Sequence, residues 1–173
     1  MFSEPLISQQ EIEQAIVTMA QAIDADYAGE NLLLVGVLKG SLYFLADLSR
    51  ALNTPVEIDF VQVSTYGQQQ TSSGVFKLVK DLDINIEGRH VLIVEDIVDS
   101  GLTLSRLVEL FQTRRPKSLR IATLLNKPKA RKIDVQIDYV GFEIPNQFVV
   151  GYGLDDSERF RNLPHIATFS KPE

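Results

Sequence analysis

A chain of 173 residues without a cysteine can bury roughly two-thirds of its unfolded surface as one domain, and it carries neither a disulfide framework nor a thiolate metal site. Its 23 acidic and 17 basic residues leave a formal net charge of -6, which argues against broad nucleic-acid contact and requires a polyanionic ligand to find local cations or a metal. The opening MFSEPLISQQEI lacks a basic stretch followed by an apolar core, and no segment reaches the roughly 18 to 20 uninterrupted apolar residues of a membrane span. The expectation is a soluble, unexported protein, cytoplasmic by default, with no membrane and no nucleic-acid partner.

Ser8 with Glu11 forms a capping-box pattern, and Ile12, Ala15, Ile16, Met19, Ala20 and Ile23 follow at helical spacing, which predicts an amphipathic helix over 8–28. NLLLVGVL (31–38) is a near-continuous apolar run, the pattern of a strand covered on both faces of a parallel sheet. Leu42, Leu45, Ala46 and Leu48 space out the next helix. A β-branched segment, VEIDFVQV (56–63), begins after Pro55.

Next comes STYGQQQTSSG (64–74), dense in Ser, Thr, Gln and Gly, which reads either as a lid or binding loop or as a plain hairpin tip. HVLIV (90–94) and LRIATLL (119–125) are again buried-strand patterns, separated by a helix through Leu104, Leu107, Val108 and Phe111 that Pro116 ends. VQIDYVGFEI (135–144) and QFVVGYG (147–153) add strand-like segments. Strand, helix, strand occurs twice, so the fold class expected is α/β, a twisted and mostly parallel sheet flanked by helices and joined by right-handed crossovers. No internal repeat or second domain is visible.

The stretch LIVEDIVDSGLTL (92–104) starts as a buried strand and then sets Glu95, Asp96 and Asp99 within five positions. Ligands of open α/β sheets bind beyond the carboxyl ends of the strands, which is where these acids fall. A single acid there would be a helix cap or a solvated loop residue. Three from one buried strand repel one another unless cations or hydroxyl donors compensate, so Mg²⁺ or sugar hydroxyls are the fitting ligands. Asp99-Ser100-Gly101-Leu102-Thr103 then offers backbone N–H groups and hydroxyls at a helix start, a cradle for phosphate. The stretch is neither a GxxxxGK[ST] nor a GxGxxG motif. Acids beside a phosphate cradle suit a phosphorylated ribose.

On these residues the chain resembles the type I phosphoribosyltransferases, whose donor-binding motif is similar to VLIVEDIVDSGLT. VLKGS (37–41), STYG (64–67), LLNKP (124–128) and VGFEIPNQFVVGYGLDDSERFRNLP (140–164) resemble its hypoxanthine-guanine branch. The resemblance implies one phosphoribosyltransferase domain over 1–173, with a small hood from the terminal segments and a flexible loop near 64–74. It also implies transfer of 5-phosphoribose from 5-phosphoribosyl 1-pyrophosphate to a 6-oxopurine, with Mg²⁺ as cofactor and a homodimer or homotetramer as the assembly.

Residue by residue, the resemblance puts Glu95 and Asp96 on the ribose hydroxyls and near Mg²⁺, with Asp155 as the second metal carboxylate. Asp99, Ser100, Gly101, Leu102 and Thr103 surround the 5'-phosphate. Lys39 and Gly40 match the pyrophosphate loop, where the family can carry a cis peptide, and Arg161 matches its pyrophosphate arginine. Thr65 and Tyr66 fall in the loop that closes over the site. Phe148 and Val149 match the segment that stacks on the purine and bonds its edge. Asp99 and Lys127 are the catalytic pair: Asp99 takes the purine proton, and Lys127 donates to the 6-oxo group. Leu102 stands where some relatives have lysine, and Thr65 where serine is commoner. Asp156 and Glu158 read as solvated.

Two other readings stay open from sequence. A regulator on the same fold would bind nucleic acid through a basic face, for which Arg114, Arg115, Lys117, Lys127, Lys129, Arg131 and Lys132 are the only dense cluster. A relative preferring xanthine or guanine would differ around the purine 2-position.

Overall fold

The computed structural model describes residues 2–66 and 75–170. Residues 67–74, most of the loop at 64–74, lie outside the described residues. The first strand, β1 (Phe2–Ile7), leads into α1 (Gln9–Asp26). The helix starts where the capping box places it: the Ser8 hydroxyl accepts the Glu11 N–H at 3.1 Å and the Glu11 carboxylate accepts the Ser8 N–H at 2.7 Å. It ends at Asp26, two residues short of expectation, with Tyr27 capping it by donating its N–H to the Ile23 carbonyl.

There follow β2 (Leu32–Leu38), α2 (Leu42–Ala51), β3 (Val56–Tyr66), β4 (Val75–Lys80), β5 (His90–Val98), α3 (Leu102–Gln112), β6 (Ser118–Asn126) and β7 (Tyr139–Glu143). Six strands form one sheet in the order β4-β3-β2-β5-β6-β7. All its pairs are parallel except β3 with β4. Alternation along β2 explains the layering. Leu32 and Leu34 pack with Ile12, Ile16, Phe44 and Leu48 of α1 and α2, whereas Leu33, Val35 and Val37 pack with Leu104, Leu107 and Phe111 of α3. A strand covered on both sides by helices has no polar face, hence its uninterrupted apolar run.

The expected strand over 135–144 is shorter, because ladder pairing with β6 begins only at Ala122↔Tyr139. Before it, the Asp138 carboxylate accepts the Ile121 N–H at 2.9 Å and the Asp138 N–H goes to the Ile121 carbonyl at 2.9 Å, so a side chain performs part of the pairing. The segment 147–153 is strand only at β8 (Val149–Val150). Positive φ at Gly151, Tyr152 and Gly153 turns the chain out of it. β9 (Ile166–Phe169), not anticipated, pairs antiparallel with both β8 and β1 in a three-stranded sheet of order β1-β9-β8.

Replacing Ser8 by Ala removes one half of the reciprocal cap. It should lower the unfolding free energy by about 1 kcal/mol, read as a lower urea midpoint at unchanged slope.

Candidate active site

From β2 the chain moves to β3 on one side, and from β5 to β6 on the other. The carboxyl ends of β2 and β5 are therefore the topological switch point, where an open sheet leaves a crevice. Pairing of β2 with β5 stops at Gly36↔Val94. β2 continues along β3 to Leu38↔Gln62, and β5 along β6 to Val98↔Asn126. The two strands diverge after Gly36, and the crevice opens between them.

The apolar pattern ends at Val94, but the strand continues to Val98, so Glu95 and Asp96 stand within β5. Glu95 is buried and Asp96 half-buried. Burial raises both carboxyls above their ordinary values: Asp96 is pushed up to about 6 from 3.8, and Glu95 rises well above its own, the Asp96 charge adding to its desolvation. Gly40, just after β2, lies against Asp96. A Cβ on Gly40 would sit 1.8 Å from Asp96 Oδ2, and one on Gly153 would sit 1.9 Å from the Gly40 carbonyl oxygen. Only hydrogen fits at these positions. The Leu38–Lys39 peptide beside them is cis.

The turn after β5 is built around Gly101, the N-cap of α3, at φ 80°. The Ser100 hydroxyl accepts the Leu102 N–H at 3.3 Å, and the Ser100 carbonyl accepts the N–H groups of Lys132 and Ile133 at 2.9 and 3.1 Å. Glu95, Asp99, Ser100, Gly101 and Thr103 line one concavity of about 240 Å³. Beside it Lys127, buried after β6, sets its Nζ 3.4 Å from Asp99 Oδ1. Its N–H donates to the Val98 carbonyl at 3.0 Å. Acid and lysine thus meet at the ends of adjacent parallel strands.

The third wall comes from 148–161. Phe148 is 48 % exposed, its carbonyl accepts the Phe169 N–H at 3.1 Å, and the two rings lie 6.2 Å apart. Val149 is buried in β8. The Arg161 guanidinium donates to the Gly153 carbonyl at 2.7 Å and pairs with Asp155 at 3.2 Å. Glu158 is exposed, as expected of a solvated acid, and is also paired. Its Oε2 lies 2.8 Å from Lys39 Nζ and its Oε1 lies 3.1 Å from Arg161 Nη2. Hydrogen bonds from the two cations hold its carboxyl below the ordinary range. The backbone of Thr65 and Tyr66 ends β3, paired to Phe76 and Val75.

Arg131, a member of the basic cluster, is half-buried, donates to Asn126 Oδ1, and carries its Cδ to 3.2 Å from a Cβ built on Gly101. No local pattern marks it, since the contact depends on how 131–133 folds against 100–101. Two arginines of that cluster are neutralised. Arg114 makes two bonds of 2.7 Å to Asp81, and Arg115 pairs with Glu87 at 2.8 Å.

Among the described residues no three His, Cys, Asp or Glu side chains converge as a metal-ligating group. Asp155 pairs with Arg161 rather than joining Glu95 and Asp96. The donor set is nevertheless one that a Mg²⁺ ion accepts, because this ion commonly takes one or two carboxylates and completes its shell with water and substrate phosphate oxygens. No helix among the described residues is long and apolar enough to cross a membrane.

A model of the phosphoribosyl transferase domain matches residues 5–157. Hypoxanthine-guanine phosphoribosyltransferase of Bacillus subtilis is 53 % identical over 161 residues, covering 93 % of this chain and 89 % of the relative. A crystal structure of a hypoxanthine-guanine phosphoribosyltransferase from Bacillus anthracis, with HEPES in its active site, is 46 % identical and superposes with a TM-score of 0.95 over 98 % of this chain and 100 % of that one. A hypoxanthine phosphoribosyltransferase structure from Staphylococcus aureus, 44 % identical, superposes at 0.94 over 98 % of this chain and 92 % of that one.

The carboxyl pair makes stability depend on pH. Both folded-state values lie above the unfolded ones, so the folded state retains protons that the unfolded state releases. The associated stability is present below about pH 4 and is lost as the pH rises through about 6. The melting temperature of the ligand-free protein should therefore fall across that window, and Glu95→Gln should flatten the slope; a slope unchanged in Glu95→Gln would contradict the assignment.

Proposed function

The chain belongs to the phosphoribosyl transferase family, and on that footing we propose that it is a purine-salvage enzyme of the hypoxanthine-guanine kind. It transfers 5-phosphoribose from 5-phosphoribosyl 1-pyrophosphate to hypoxanthine and guanine, giving IMP and GMP and releasing pyrophosphate. The observation that supports this most directly is the Asp99–Lys127 pair, 3.4 Å apart at the mouth of the phosphate turn. The O6 and N7 atoms of a 6-oxopurine are neighbours on one edge of the base, and a donor and an acceptor side by side match that edge.

In this reading the ribose hydroxyls donate to Glu95 and Asp96, whose crowded charge gains hydrogen-bond donors on binding. The amides of 99–103 and the hydroxyls of Ser100 and Thr103 cradle the 5'-phosphate at the start of α3, with Leu102 contributing its N–H alone. Lys39, Gly40, Thr65 and Tyr66 surround the pyrophosphate, and the Arg161 guanidinium donates to it through a fork suited to oxyanions. Phe148 stacks on the purine and the backbone of Val149 bonds its edge. As the bond from C1' to pyrophosphate lengthens, N9 attacks and Asp99 accepts the proton from N7. Glu95, Asp96 and Asp155 are the residues that would hold Mg²⁺, which when bound supplies positive charge to the departing pyrophosphate.

Lys127 sets base choice. An ammonium has donors only, so it pairs with a 6-oxo group and opposes the 6-amino group of adenine. The sheet of β1, β9 and β8 serves as the hood. A homodimer or homotetramer in the cytoplasm completes the proposal. Regulation through nucleic acid is the weaker reading, because the acids paired with Arg114 and Arg115 leave no strongly basic face there.

Two measurements test the proposal. Asp99→Asn should lower turnover by about 10² to 10⁴, and wild-type turnover in that variant would remove Asp99 from its role. In a panel of hypoxanthine, guanine, xanthine and adenine with the donor and Mg²⁺, adenine should fall about 10⁴-fold below hypoxanthine. No nucleotide from any of the four would end the enzymatic reading.

A further inference from the structure

The segment 155–160 is under conformational stress, offset in part where the Phe160 ring lies 5.5 Å from that of Phe169 and under the Arg159 guanidinium. Ser157, Glu158 and Phe160 all have positive φ, at 54°, 65° and 77°, a conformation that is costly for non-glycine residues and persists only where the surroundings enforce it. Here the Asp155 carboxylate accepts the Glu158 N–H at 2.8 Å, and Asp156 and Arg159 exchange backbone bonds of 3.1 Å. What the turn delivers is one carboxylate with its two oxygens on two different cations, Lys39, 119 residues away in the chain, and Arg161, three residues on. The Lys39 and Glu158 side chains are 56 % and 63 % exposed, so the pairing adds little to stability.

One carboxylate bridging two cations reproduces what a phosphoryl group does at the same place. Lys39 and Arg161 are the cations that the proposed function gives to pyrophosphate, and this inference rests on that reading. We infer that Glu158 is a specificity-determining residue, a tethered competitor for the anionic end of the donor, which any ligand must displace from Lys39 and Arg161 before it binds there.

The consequence is selective. A tethered group competes at an effective concentration in the millimolar range, so a lone phosphate, which makes few other contacts, is turned away. The complete donor displaces Glu158, because its ribose and 5'-phosphate are held at the same time by β5 and the turn after it. Once the bond to C1' is broken, pyrophosphate loses that tether and Glu158 can retake both cations, which hastens release.

The test compares the full-length wild type with Glu158→Gln, a substitution that keeps the shape and removes the charge. Calorimetric titration with inorganic pyrophosphate in the presence of Mg²⁺ should show about tenfold tighter binding in the variant, with product inhibition and the KM for the donor shifting the same way. Inorganic phosphate should inhibit the variant at concentrations that leave the wild type unaffected. Equal or weaker pyrophosphate binding in Glu158→Gln would overturn the inference. If that variant does not fold, Glu158→Asp replaces it: one methylene shorter, it cannot span both cations and should bind pyrophosphate severalfold more tightly than wild type, and equal or weaker binding there overturns the inference too. A wild type that makes no nucleotide while Glu158→Gln still gains pyrophosphate affinity would defeat the proposed reaction and leave the competitor role standing.

Discussion

Two adjacent carboxyls, Glu95 and Asp96, stand where β2 and β5 diverge, crowded together and short of water. Leaving them there is expensive unless opposite charge or hydrogen-bond donors meet them. The surrounding structure meets this condition only in part, since both carboxyls stay above their ordinary range. Gly40 has no side chain, so the chain after β2 can lie directly on Asp96. Lys39, Lys127 and Arg161 arrive from three different elements, and the start of α3 supplies oriented N–H groups beside the acids. The parallel register of β5 with β6, which runs to Val98↔Asn126, brings Asp99 and Lys127 together.

The arrangement reconciles an acidic protein with polyanionic ligands. The net charge of -6 describes the whole surface, while the cations that matter are drawn to one crevice, each already engaged by an acid: Lys127 with Asp99, Arg161 with Asp155 and Glu158, Lys39 with Glu158. A ligand entering this site exchanges partners rather than filling an open positive well. Selectivity under such conditions comes from the number of simultaneous contacts, since each exchange taken alone is nearly balanced.

Local patterns carried much of this into view from the sequence. The reciprocal bonds of Ser8 and Glu11, the two-sided burial of β2 and the acids after Val94 each depend on residues a few positions apart, and each pattern has one good physical solution. What escaped depends on distant partners. β9 is four residues long and gains its meaning from β1 and β8. The pairing of Glu158 depends on a cation 119 residues away, and the half-burial of Arg131 on how 131–133 folds against Gly101. The strand expected at 135–144 was overdrawn because a side chain, Asp138, substitutes for part of the ladder, an exchange that periodicity does not register.

The pairing of β1 with β9, together with the reach from Lys39 to Glu158, sets an order of events during synthesis. At about 5 to 20 residues per second, a ribosome adds Glu158 roughly 6 to 24 s after Lys39. Through that interval β2, β5 and β6 can pair and α1 to α3 can cover them, whereas β1 has no β9 to join. The nascent chain therefore owns its acidic crevice well before it owns the residues that close it, and the separated walls meet only once β8 and β9 have been added.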